Sequence, residues 1–115
     1  MNITTEWVLE YLKTNRTKYI IPKYATKIEE GAFSNVFGYG TELSELEIEI
    51  IFEDDSALQE IEKGAFKTCN IINEVIVPKS VKEVGDMAFY SCGRNAFLEE
   101  GTEIRKRRRN FLCVF

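Results

Sequence analysis

One six-residue phrase is written three times in this chain: Ile28-Glu29-Glu30-Gly31-Ala32-Phe33, Ile61-Glu62-Lys63-Gly64-Ala65-Phe66 and Val84-Gly85-Asp86-Met87-Ala88-Phe89. Each runs from an aliphatic residue through three mostly polar or small ones to Ala-Phe. A second phrase precedes two of the copies, Tyr19-Ile20-Ile21-Pro22-Lys23 and Val75-Ile76-Val77-Pro78-Lys79, and Ile50-Ile51-Phe52-Glu53 stands in its place before the middle one. A repeated unit this short cannot bury its own apolar face. Units must stack so that neighbours share one core, and Phe33, Phe66 and Phe89 are predicted to be the large side chains of that core.

The rest of the composition is compatible with one folded domain, 1–115. With 44% hydrophobic and 30% charged residues the 115-residue chain is ordinary globular material, large enough to bury a core. The three cysteines, Cys69, Cys92 and Cys113, are too few and too widely spaced for a disulfide framework, and no Cys-x-x-Cys pair suggests zinc. The first residues have no basic segment followed by a long apolar run, and no apolar stretch of membrane-spanning length follows, so a soluble, intracellular protein without membrane association is expected. Charge is unevenly placed. All 19 acidic residues precede Arg105 but only ten of the 15 basic ones do, which leaves a net −9 on residues 1–104 and +5 on Arg105-Lys106-Arg107-Arg108-Arg109.

Along the chain, Trp7, Val8, Tyr11 and Leu12 share one face of a 3.6-residue period, which predicts a helix over residues 5–14 with Thr4 or Thr5 as N-cap. This helix, within a segment 1–17 that has no repeat phrase, reads as a cap on the apolar end of the first repeat, in preference to a partner-binding helix anchored by Trp7 and Tyr11. Repeats then occupy 18–93. Tyr19-Ile20-Ile21 is a strand ended by Pro22, which cannot donate to a ladder. Gly38-Tyr39-Gly40 is a turn and not a nucleotide-binding loop. Leu46, Ile48, Ile50 and Phe52 alternate with Glu45, Glu47 and Glu49, the pattern of a half-buried strand. Glu53-Asp54-Asp55-Ser56 is a loop without calcium-ligand spacing.

Alignment on Ala-Phe sets Val36, Cys69 and Cys92 at one register, a position that takes small hydrophobic residues, so these cysteines are expected to be packing groups and not nucleophiles. Residues 94–115 form a degenerate repeat and tail. Setting Ile104 over Val84 places Arg108 and Arg109 at the Ala-Phe positions, where arginine would be costly to bury, so stacking is expected to stop at a polar end. The final run, Phe111-Leu112-Cys113-Val114-Phe115, is apolar and offers a route to a homodimer.

The strand phrase, the Pro-Lys, the aliphatic-x-x-Gly-Ala-Phe phrase and the following Cys recur in order over about residues 19–92. In this they resemble the BspA-like leucine-rich repeat family. The resemblance implies an α/β fold: a short leucine-rich-repeat solenoid of about three repeats, with one parallel sheet and a short helical turn on the opposite side. It also implies protein binding and adhesion. The Phe33 to Phe66 spacing of 33 exceeds the 23 from Phe66 to Phe89, and Met87 replaces the glycine.

Function is constrained mainly by exclusion. The chain has no histidine, which removes the commonest general base and metal ligand, and the pairs Glu29-Glu30 and Asp54-Asp55 fall at exposed repeat and loop positions. No catalytic residue, cofactor or metal site is therefore expected. The leading expectation is a non-catalytic protein-interaction module, a small free-standing inhibitor or adaptor, with Glu47, Glu49, Asn73, Glu74 and Ile76 on its contact face and a basic partner suited to the acidic body. The alternative is nucleic-acid association, with Arg105, Lys106, Arg107, Arg108 and Arg109 attracting phosphates without sequence readout.

Overall fold

The computed structural model describes residues 1–92 and 96–104, together with the backbone of 106–107. The chain winds as stacked coils that contribute longer strands to one side and two-residue strands to another. In chain order the elements are β1 (Asn2–Ile3), α1 (Thr5–Leu12), β2 (Lys18–Ile21), β3 (Lys27–Ile28), α2 (Ser34–Phe37), β4 (Glu49–Phe52), β5 (Glu60–Ile61), β6 (Val75–Val77), β7 (Glu83–Val84), β8 (Ala96–Leu98) and β9 (Lys106–Arg107).

The short strands form one parallel sheet in the order β1-β3-β5-β7-β9. The longer strands pair in parallel only two by two, β2 with β4 and β6 with β8. The one-strand unit expected from the sequence is thus corrected to two strands per coil. The second strand opens the six-residue phrase itself, with Ile28, Ile61 and Val84 in register. Two residues are too few to show a periodicity.

Between the sheets lies the core predicted from the phrase. Phe33, Phe66 and Phe89 are fully buried and stack face to face, with centroids 4.7 Å apart for the first pair and 5.1 Å for the second. Their backbones are tied coil to coil: Phe33 N–H donates to Ala65 C=O at 2.9 Å and Phe66 N–H to Ala88 C=O at 2.7 Å. Gly31 and Gly64 hold φ of 65° and 61° at one register, and Met87 is forced to φ 56° where the phrase loses its glycine. The helical turn implied by the family resemblance exists as α2 in the first coil. In the next two coils it is replaced by turns in which Thr68 and Ser91 take positive φ. Cys69 and Cys92 are buried at the register of Val36, and Cys69 is a free thiol, so these two do not pair.

The N-terminal segment proves to be a modified half-coil. Ile3, fully buried, pairs in register with Ile28, and the six residues from Ile3 to Val8 match the six from Ile28 to Phe33, which puts buried Val8 at the phenylalanine position. Helix α1 takes the place of the Ala-Phe turn. Thr4 caps it, its hydroxyl accepting from Trp7 N–H at 3.0 Å. The ring of Trp7 meets Phe33 edge-on, and the Tyr11 hydroxyl accepts from Ile20 N–H at 3.2 Å on the outer edge of β2.

Stacking also continues past Cys92. Strand β9 pairs Lys106 with Glu83 and Arg107 with Val84, three residues away from the alignment of Ile104 on Val84, which is therefore corrected. Ile104 stands one coil on from Val81 and packs against the core, as Val81 does. The Arg108 and Arg109 part of that expectation, Arg105, and the apolar run 111–115 lie outside the described residues.

Candidate protein-interaction face

The outer surface of the longer strands is the face on which a partner would meet backbone and side chains of several coils at once. Strand β2 buries Tyr19 and Ile21 and turns Ile20 outward; β4 does the same with Ile50 and Ile51; β6 buries Val75 and Val77 and turns Ile76 outward. Register then aligns Ile20 with Ile51 and Ile76 with Phe97. Every outward central position is apolar, although three are substantially wet: Ile20 is 38% exposed, Ile76 49% and Phe97 43%. A strand face meant only for water would carry polar residues there.

The row is divided in the middle. Between β4 and β6 the backbone ladder closes only at its start, where Ile48 bridges Ile71 and Ile72 N–H donates to Ile48 C=O at 2.9 Å. The chain then takes four residues from Ile71 to Val75 where the preceding coil takes two from Ile48 to Ile50, and the strands part. The side-chain amide of Asn73 spans the widening gap: its Oδ1 accepts from Ile50 N–H and its Nδ2 donates to Ile50 C=O, both at 3.2 Å. Among the described residues no hydrogen bond crosses from β4 to β6 beyond that point.

A cleft of about 800 Å³ opens there. Ile51, Phe52, Ile76 and Pro78 line it with Asp54, Asp55, Glu74, Glu99 and a single Lys79. The acidic lip has a local cause. Lys27 follows Ile21 by six positions but Glu60 follows Phe52 by eight, so the middle coil carries a two-residue protrusion, turned by Asp55 at φ 57°. Glu99 stands at the position of a proline one coil earlier, and its Oε1 accepts from Lys79 N–H at 2.8 Å; Glu53 treats Lys23 N–H in the same way at 2.7 Å. The hydroxyl of Ser80, on the cleft wall, is buried without a hydrogen-bond partner.

Of the five residues expected to contact a partner, the structure brings Asn73, Glu74 and Ile76 together at the cleft. Glu47 is exposed ahead of β4, and half-buried Glu49 lies opposite Lys18 in the first strand pair, so neither lines it. Asn73 is occupied with the Ile50 backbone. Sequence reasoning missed Ile20, Ile51 and Phe97; the usable signal was an apolar residue between two inward ones in each strand. It also missed the position of Asp54, Asp55 and Glu99, which depends on how coils stack.

Among the described residues, two titrating groups are displaced by burial. Burial pushes the Tyr19 phenol up to about 12, partly countered by the Arg16 charge and helped by Tyr11, and its hydroxyl donates to Arg16 C=O at 2.9 Å. Burial likewise pushes the Cys69 thiol far above its ordinary range, which makes it a poor nucleophile. Among the described residues no helix is long and apolar enough to cross a membrane.

Comparison with known proteins agrees with this architecture. No curated protein and no solved structure matches the chain. The family model described as BspA type Leucine rich repeat region (6 copies) matches residues 37–105, more than half of the sequence and a span that contains Phe66 and Phe89 of the stack and the seam between β4 and β6. The chain belongs to the BspA type leucine-rich repeat family.

Proposed function

We propose that this protein is a non-catalytic interaction module whose contact surface is the outer face of its longer strands. The observation that carries the reading is the apolar row Ile20, Ile51, Ile76 and Phe97, which crosses four coils and contributes nothing to the core. Leucine-rich repeats commonly mediate protein–protein contacts, and a row of this kind supplies the desolvation that such contacts need. Helix α1 closes the apolar N-terminal end of the stack, leaving the strand face free. A small chain of this form acts as an adaptor or inhibitor by covering a surface of a larger, basic partner.

The test is capture of a partner from source-cell lysate by the wild-type protein and by a triple variant, Ile20→Asp, Ile76→Asp and Phe97→Asp. All three side chains are exposed, so circular dichroism should be unchanged while specific capture is lost. Undiminished capture by the triple variant, or no specific capture by the wild type, would remove the reading.

A further inference from the structure

We infer that the strand face takes an amphipathic α-helix of a partner protein, laid across the coils, with one apolar stripe and Lys or Arg beside it. This rests on the interaction-module reading and names the kind of partner that the apolar row fits.

Ile20, Ile51, Ile76 and Phe97 each follow the first buried residue of their strand, Tyr19, Ile50, Val75 and Ala96, so they form one row running across the strands. The Ile48–Ile71 bridge and the Asn73 amide keep β4 beside β6, which makes the row one surface and not two. Neighbouring strands lie about 4.8 Å apart, so four positions span about 15 Å, and slightly more across the parted seam. On a helix, positions i, i+4, i+7 and i+11 share one stripe and span about 16 Å. An extended chain along the row would bring a side chain to the surface only every 6.6 Å or so, about a third too far for one contact per coil.

Main-chain demands point the same way. A sheet face presents side chains alone, because each strand directs its N–H and C=O groups sideways toward its neighbours. An extended segment laid on that face would leave its own peptide groups without partners once water is excluded, whereas a helix satisfies them internally. The N-terminal edge, where an extended segment could pair instead, is taken: Ile20 N–H in β2 donates to the Tyr11 hydroxyl of α1.

Charge selects the flank of the helix. Just past the ends of the longer strands, Glu53, Asp54, Asp55 and Glu99 stand exposed against exposed Lys23 and Lys79, an excess of two negative charges. Exposed Glu74 flanks the row from the other side. Asp54 and Asp55 sit on the two-residue protrusion of the middle coil, on the same cleft as Ile51 and Ile76. Basic side chains beside the apolar stripe meet these carboxylates, while the central apolar side chain of the stripe enters the cleft against Phe52 and Pro78.

The experiment uses the full-length protein with labelled isoleucine methyls and an acetylated, amidated helical peptide of about five turns. The peptide has Leu at the stripe positions, Lys beside them, and Ala or Gln elsewhere. One control replaces Lys with Glu, a second scatters the Leu around the helix, and a third is an extended peptide alternating Lys and Val. The expected result is binding with Kd below about 100 μM, the largest methyl shifts at Ile20, Ile51 and Ile76, and at least tenfold weaker binding of every control. The variant Asp54→Asn, Asp55→Asn and Glu99→Gln, altered only at exposed positions and retaining an acceptor for Lys79 N–H, is expected to weaken the peptide at least tenfold at low salt, with its spectrum otherwise preserved. Shifts centred elsewhere, equal binding of any control, absence of binding, or self-association that covers the same methyls would each overturn the inference. If the peptide fails while the triple variant of the apolar row still loses its captured partner, the interaction module stands and the helical occupant falls.

Discussion

Replacing Phe66 with Ala removes the middle ring of a three-ring stack. Phe66 is fully buried, with Phe33 4.7 Å away at 23° and Phe89 5.1 Å away at 10°. Truncating a buried phenylalanine costs about 3–5 kcal/mol through lost transfer energy and the cavity left behind. Two stacked contacts, each worth about 0.5–1.5 kcal/mol, disappear with the ring and place the expected loss in the upper half of that range. Against a total stability of about 5–15 kcal/mol the change should be large, lowering the urea midpoint with little change in slope. Equilibrium unfolding followed by circular dichroism gives the whole-chain transition. Trp7 fluorescence reports the N-terminal end, because Trp7 meets only the first ring of the stack. In a stack where each coil contacts its neighbours alone, the cost of Phe66→Ala should exceed that of Phe89→Ala, and the double variant should cost less than the sum. A loss below about 1.5 kcal/mol, or strict additivity, would refute the account of the core as a continuous ring stack.

Further expectations follow from single positions. Asn73→Asp keeps the acceptor for Ile50 N–H but cannot donate to Ile50 C=O, so it should lose about 1–3 kcal/mol in chemical denaturation, and Asn73→Ala at least as much. Gly64→Ala, at φ 61° with the new methyl in ordinary van der Waals contact with Lys67, should cost about 1–2 kcal/mol from backbone conformation alone, whereas Met87→Gly relieves the same strain and should be the milder change of the two. Tyr19 has a folded pKa raised to about 12 from 10, so its protonated form is favoured by folding; that contribution is intact below pH 10 and is lost as pH rises toward 12, measurable by phenolate absorbance and denaturation across that window. Cys69, buried and held as the thiol, should resist alkylation until the chain unfolds, as peptide mapping after timed labelling would show.

The repeat phrase made the core legible because Ala-Phe is bulky, regular and tied to one backbone turn; Phe33, Phe66 and Phe89 could be named without coordinates. The short strands were not legible, since Lys27–Ile28 and Glu60–Ile61 hold only two residues each and are defined by neighbours 33 or 23 positions away. Ile3 escaped notice for the same reason, and Val8 was placed on the apolar face of the helix but not at a repeat position; only pairing with β3 reveals both registers. The register of the last coil was misread by three residues because charged side chains replaced the pattern that would have fixed it. Ile76 was singled out correctly as a surface residue, but the cleft beside it depends on a two-residue protrusion in one coil and a bulge in the next. Neither has a local sequence signature beyond Asp54-Asp55 and Ile72-Asn73.

The divided seam is the feature on which the functional reading converges, and residue-resolved amide hydrogen exchange tests it most directly. Ile51 and Val77 have amides directed into the paired ladders β2-β4 and β6-β8, while Phe52 and Ile76, in the same strands, direct theirs into the cleft. The account predicts that Phe52 and Ile76 exchange at least tenfold faster than Ile51 and Val77 in the free protein. Equal protection of all four amides would mean that β4 and β6 form a closed ladder, and would contradict it.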